Sequence, residues 1–121
     1  MNAVNWFEIP VRDMQRATRF YDSVLELNLA VTDMGPAAMA WFPMSATEPG
    51  AGGTLIKADG YTPSHAGSLV YFRVESIEQC TARAGEHGGK VLLPKTAIGE
   101  HGFIAHLQDS EGNRVGLHAL T

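Results

Sequence analysis

The chain has 121 residues, 45% of them hydrophobic, which is one domain's worth of sequence with enough apolar surface to bury a core. Nine Lys and Arg against 13 Asp and Glu leave a net charge of −4, and no basic cluster supplies the positive footprint that a phosphate backbone needs, so nucleic acid is a poor candidate partner. No apolar run approaches the ~20 residues of a membrane span and the start lacks a signal-peptide pattern, so the expectation is a soluble cytoplasmic protein without a membrane partner.

The first predicted element is a strand in which Phe7, Ile9 and Val11 alternate with Trp6, Glu8 and Pro10, giving a core side and a site side. Asp13 is then an N-cap for a helix whose apolar stripe is Met14, Ala17, Tyr21 and Val24, widened by Phe20 and Leu25. Arg12, Arg16 and Arg19 run along the outer side of that helix. Asn28 to Asp33 is short and apolar-rich, Met34-Gly35-Pro36 is a turn, and strands are expected over Ala37 to Met44 and Gly53 to Ala58. Between them, Pro43 to Gly53 reads as a loop over a cleft. The Gly/Pro/Ser-rich stretch Asp59 to Gly67 bridges two halves, residues 1–60 and 67–121.

The second half repeats the order of the first. A strand is expected from Ser68 to Glu75, and Ser76 with Gln79 makes a capping box for a helix running to about His87, with Gly88-Gly89 as its end. Strands follow near Lys90 to Lys95, Phe103 to Gln108 and Arg114 to Ala119, the last two joined by the turn Asp109-Ser110-Glu111-Gly112-Asn113. Val74 lies 63 positions after Val11, and at that offset Asp13 meets Ser76, Met14 meets Ile77 and Ala17 meets Cys80, which is the mark of an internal duplication. Cys80, the single cysteine, falls on the apolar stripe of the second helix and reads as a core residue.

A twice-repeated βαβββ unit, with Arg-Ala-x-x-Phe-Tyr on its first helix and Asp-x-Glu-Gly-Asn before its last strand, resembles the vicinal oxygen chelate superfamily, which includes glyoxalase I, bleomycin-resistance proteins and extradiol dioxygenases. Trp6 to Leu25 and Gly88 to His118 look like a bacterial branch labelled glyoxalase-like or lactoylglutathione-lyase-related. The resemblance implies an α+β fold, one domain made of two βαβββ modules whose mixed sheets form a cup, and a homodimer. It also implies metal ligands on the first and fourth strands of each unit, and those positions fall on Trp6, the region of Thr54, Leu69 and Gly116. None of these offers the imidazole or carboxylate that a catalytic cation needs. The expectation is therefore no metal and no cofactor.

The opposite sides of the same strands supply Trp6, Glu8, Tyr71, Arg73, His106 and His118 to the cleft, and the Gly-flanked loop from Ile98 to Gly102 either delivers Glu100 or His101 to a ligand or is solvated. Aromatic walls with a few convergent polar groups suit a small organic ligand. The competing reading is that Trp6 and Tyr71 fill the space of a former metal. Glu8 and His118 are the candidate catalytic pair, Glu8 as a general acid or base beside Trp6; the alternative for Glu8 is a salt bridge to Arg73 or His118. His65 and His87 read as surface residues. Two other functions remain open: a metal-dependent lyase or dioxygenase recruiting His101, His106, His118 and Glu8, and a scaffold whose role is association.

Overall fold

The computed structural model describes residues 2–33 and 35–121; of the predicted turn at 34–36, Met34 lies outside them. The elements run β1 (Trp6–Pro10), α1 (Met14–Leu25), β2 (Ala30–Asp33), β3 (Ala38–Trp41), β4 (Gly52–Lys57), β5 (Tyr71–Arg73), α2 (Ile77–Glu86), β6 (Lys90–Ala97), β7 (Phe103–Gln108) and β8 (Arg114–Ala119), with one 3-10 turn at Gly99–His101. They build two four-stranded mixed sheets, ordered β1-β4-β3-β2 and β5-β8-β7-β6, each with one parallel pair, β1 with β4 and β5 with β8. No helix among the described residues is long and apolar enough to cross a membrane.

The duplication is visible in the backbone. Val11 N–H donates to Ile56 at 2.9 Å as Val74 N–H donates to His118 at 2.9 Å, and Glu8 pairs with Thr54 as Tyr71 pairs with Gly116. Both predicted N-caps form, with Asp13 accepting from Arg16 N–H at 3.0 Å and Ser76 from Gln79 N–H at 3.2 Å. The strand expected from Ser68 contracts to Tyr71–Arg73, because its only sheet partner is β8 and the ladder ends at the Val70 and Val74 bonds. The apolar-rich stretch from Asn28 becomes a strand only at Ala30, since the Asp22 carboxylate holds Leu29 N–H at 2.9 Å and keeps the chain in a turn. Pro43 ends the third strand early by lacking an N–H to donate.

α1 packs on β3 and β4, α2 on β6, β7 and β8, and the helices pack on each other. One apolar core results, with Phe42 and Phe72 stacked at 5.4 Å and Phe7 against Phe72 at 6.0 Å carrying it across the seam between the sheets. Cys80 is buried in it, and burial, only partly offset by nearby Arg83, pushes its thiol up.

The sequence reading of Arg12 and Arg16 needs correction, because both turn toward the other module. The Glu111 side chain is fully covered, and its Oε1 accepts from Arg12 N–H at 2.9 Å and Asp13 N–H at 2.8 Å while Oε2 accepts from Arg16 Nε at 2.6 Å. Asp109 Oδ2 accepts from the buried Tyr21 hydroxyl at 2.6 Å, and its Oδ1 takes the N–H groups of Glu111 and Asn113. Asn113 Nδ2 donates to Pro10 O at 2.8 Å. The Asp-x-Glu-Gly-Asn turn is thus a three-pronged latch, Asn113 on the end of β1, Glu111 on the start of α1 and Asp109 on its middle. Arg83 of α2 holds the other end, donating to Val24 O at 2.9 Å.

Burial would raise the Glu111 carboxyl, but the bonds from Arg16, Asp13, Arg12 and Ser110 win and hold it at about 2. A carboxyl whose folded value lies below its unfolded one contributes stability above the unfolded value of ~4.3 and loses it as pH falls toward 2. Glu111→Gln should lower stability by about 3 kcal/mol at pH 7, since it breaks a charge pair with one covered partner and weakens two helix-end donors. Denaturant midpoints measured down to pH 2 should show the gap between the wild type and this variant narrowing below pH ~4.3.

Candidate functional site

The face of each sheet turned away from its helix carries the residues expected at the site. On the first sheet Glu8 pairs with Thr54 of β4, and Thr54 with Trp41 of β3. A Cβ on Gly52 would meet Trp6 at 3.3 Å and Met44 at 3.1 Å, so the Trp6 indole lies across β4 where there is no side chain to lift it. It meets Trp41 edge-on at 5.7 Å. Thr54 is fully buried, and its hydroxyl has no hydrogen-bond partner.

The second sheet repeats the device. Tyr71 pairs with Gly116, and its ring occupies the space a Cβ there would need. The Tyr71 hydroxyl lies 2.7 Å from His106 Nε2, and Arg114 Nε donates to His106 Nδ1 at 3.1 Å. Burial, with the Arg114 charge, holds His106 below its ordinary value. Arg73 has no hydrogen-bond or ion-pair partner among the described residues, although it stands beside Tyr71 on the same face.

Between β1 and β5, which are edge strands of different sheets, opens a cleft of about 1150 Å³. Trp6 and Glu8 line it from one module, Leu69, Tyr71 and Arg73 from the other, and Pro43, Gly50 and Ala51 of the predicted loop rim it. Glu8 forms no salt bridge with Arg73 or His118; it accepts from the Tyr61 hydroxyl at 3.1 Å, because the bridge between the modules folds back over β1. Tyr61, the one aromatic side chain in that bridge, escaped the sequence reading. Its phenol is raised by the Glu8 hydrogen bond.

The remaining candidates lie apart from the cleft. His118 Nε2 donates to the His101 carbonyl at 2.6 Å, so these two meet each other and tie the 3-10 turn to β8. Glu8 and His118 share no bond. His106 lies behind Tyr71, His65 bonds Gln108 at 2.8 Å, and His87 is the C-cap of α2. Among the described residues no three His, Cys, Asp or Glu converge as a metal site would require. Thr54 and Gly116 occupy equivalent places, beside Glu8 and Tyr71 respectively, and with Trp6 and Leu69 they do not fit a divalent cation.

The family model for the Glyoxalase/Bleomycin resistance protein/Dioxygenase superfamily matches residues 3–117. The chain belongs to this superfamily. Its fold is similar to glyoxalase I from Zea mays, at a TM-score of 0.71 and 20% identity over 95% of this chain; the chain spans 45% of that protein's length. A glyoxylase/bleomycin resistance protein/dioxygenase domain from Frankia sp. EAN1pec is similar at a TM-score of 0.72 and 18% identity, with 98% of each chain covered. A glyoxalase/bleomycin resistance protein from Albidiferax ferrireducens T118 is similar at 0.63 and 21% identity, also over 98% of each. These likenesses show the fold. No curated protein matches the chain by sequence.

Two substitutions test the geometry of this vicinal oxygen chelate fold. Thr54→Val removes a buried hydroxyl that has no partner while keeping its shape, and should raise stability by about 1 kcal/mol in denaturant titration. Gly116→Ala drives a methyl into the Tyr71 ring and should cost about 1–3 kcal/mol, a loss that largely disappears when Tyr71 is also replaced by Ala.

Proposed function

We propose that the protein binds a small organic molecule in the cleft between its two modules, without the metal used elsewhere in its superfamily. The observation that carries this reading is the cleft itself, which draws an indole and a carboxylate from β1 and a phenol and a guanidinium from β5. Its volume lies somewhat above the ~300–1,000 Å³ common for such sites, and its walls combine apolar rings with a few polar groups. Trp6, Glu8, Tyr71 and Arg73 are the binding residues in this reading, with His106 supporting Tyr71. Glu8, already holding the Tyr61 hydroxyl, is the residue placed to accept a hydrogen bond or a proton from a donor group of the ligand.

The same reading includes a homodimer. The concave faces carry exposed Trp6 and Tyr71, and every residue of β2 is exposed along an open sheet edge. A second copy is the economical cover for both.

Trp6 and Trp41 are the only two tryptophans and both sit on this face, so intrinsic fluorescence reports on it alone. Screening small aromatic compounds should yield ligands that shift this emission. Glu8→Gln should weaken their binding while leaving the melting temperature level or higher. Elemental analysis of protein purified without added metal or chelator should find no stoichiometric transition metal, and about one per chain would favour the metal-dependent lyase or dioxygenase instead. Light scattering at micromolar concentration should give twice the 13.0 kDa chain mass.

A further inference from the structure

The hydrogen-bond chain behind the cleft wall decides where one proton points. Arg114 Nε–H can only donate, so His106 Nδ1 must present a lone pair to it. A neutral imidazole with a bare Nδ1 carries its hydrogen on Nε2, and the combined effect of burial and the Arg114 charge keeps the ring neutral. His106 Nε2–H therefore donates to Tyr71 Oη at 2.7 Å. The phenol's own proton is left without an acceptor among the described residues, on a side chain that is 43% exposed and lines the cleft.

Two residues along the same strand face stands Arg73, also lining the cleft and unpaired among the described residues. Of the carboxylates that line the cleft, Glu8 accepts from Tyr61, Glu26 pairs with Arg83, and Glu75 makes no ion pair with Arg73. This wall thus offers a charge and a directed O–H, both donors, with no acceptor between them. The opposite wall offers the Trp6 ring.

We infer that the β5 wall recognises the carboxylate of an aromatic or similarly planar organic acid, with Arg73 supplying the charge and Tyr71 a hydrogen bond whose direction Arg114 sets through His106. The inference rests on the cleft-binding reading above and adds the ligand's class. Arg114 is a positioning residue here, since it acts through His106 and does not itself meet the ligand.

Benzoate, benzamide and benzylamine, which share a ring and differ in charge, are the probes, titrated against the full chain by tryptophan fluorescence. Benzoate should bind about tenfold or more tightly than benzamide; Arg73→Met should remove about tenfold of benzoate affinity and most of its advantage over benzamide, and Tyr71→Phe, whose lost O–H serves a carboxylate or an amide oxygen, should weaken benzoate about tenfold and benzamide less. Long-range proton–nitrogen NMR of the His106 ring should show Nε2 protonated and Nδ1 bare, a pattern lost in Arg114→Met together with part of the benzoate affinity. A hydrogen on Nδ1 in the wild type, or benzamide or benzylamine binding where benzoate does not, overturns this inference and leaves the cleft-binding reading standing. Failure of all three probes to bind counts against both.

Discussion

The first helix depends on charges it does not own. α1 carries no acid in its first turn and no base in its last, although its free N–H groups and carbonyls at the two ends call for both. The second module supplies them, Glu111 at the start and Arg83 at the finish. With Tyr21 bonded to Asp109 midway along, the helix is held at three points by residues that belong to the other module, two from its Asp109–Asn113 turn and one from α2. Such a clamp fixes how the sheets stand to one another, and so fixes the spacing of β1 and β5 on either side of the cleft.

Glycine on the partner strand is the second recurring device. Trp6 lies over Gly52, Phe7 over Gly53 and Tyr71 over Gly116, each aromatic ring lying down where its neighbour has no side chain. A glycine inside a strand weakens it alone, yet it admits a large flat surface close to the sheet. The rings turned toward the helices consolidate the core, and those turned the other way shape the cleft. Because Trp6 rests on Trp41 and Tyr71 on His106, these walls are held in place by the protein's own side chains.

Alternation along the strands, the Asp13 and Ser76 caps and the offset between Val11 and Val74 are local patterns, and they made the fold readable from the chain, down to the bounds of β7 and β8. The partners of polar side chains were not readable. Arg12 and Arg16 looked like a solvated stripe because Glu111 lies 99 positions from Arg12, and the partner of Glu8 is a tyrosine 53 positions away in a bridge with no periodicity. The chain from Tyr71 through His106 to Arg114 joins three strands and follows from register rather than composition. In each case the missing information was which strand edges face each other, and one-dimensional spacing does not contain it.

The clamp on α1 also sets an order of events during synthesis. A chain emerging amino end first presents β1, α1 and the rest of the first sheet while the Asp109–Asn113 turn is still unmade, so the helix waits with its leading N–H groups in water and with Phe7, Phe42 and Tyr21 lacking their cover from Phe72. Contacts at so large a sequence separation form late, because the loop must close before they contribute. The first half of this protein therefore leaves the ribosome as a latent structure, and it gains its clamp only once the Asp109–Asn113 turn has followed it.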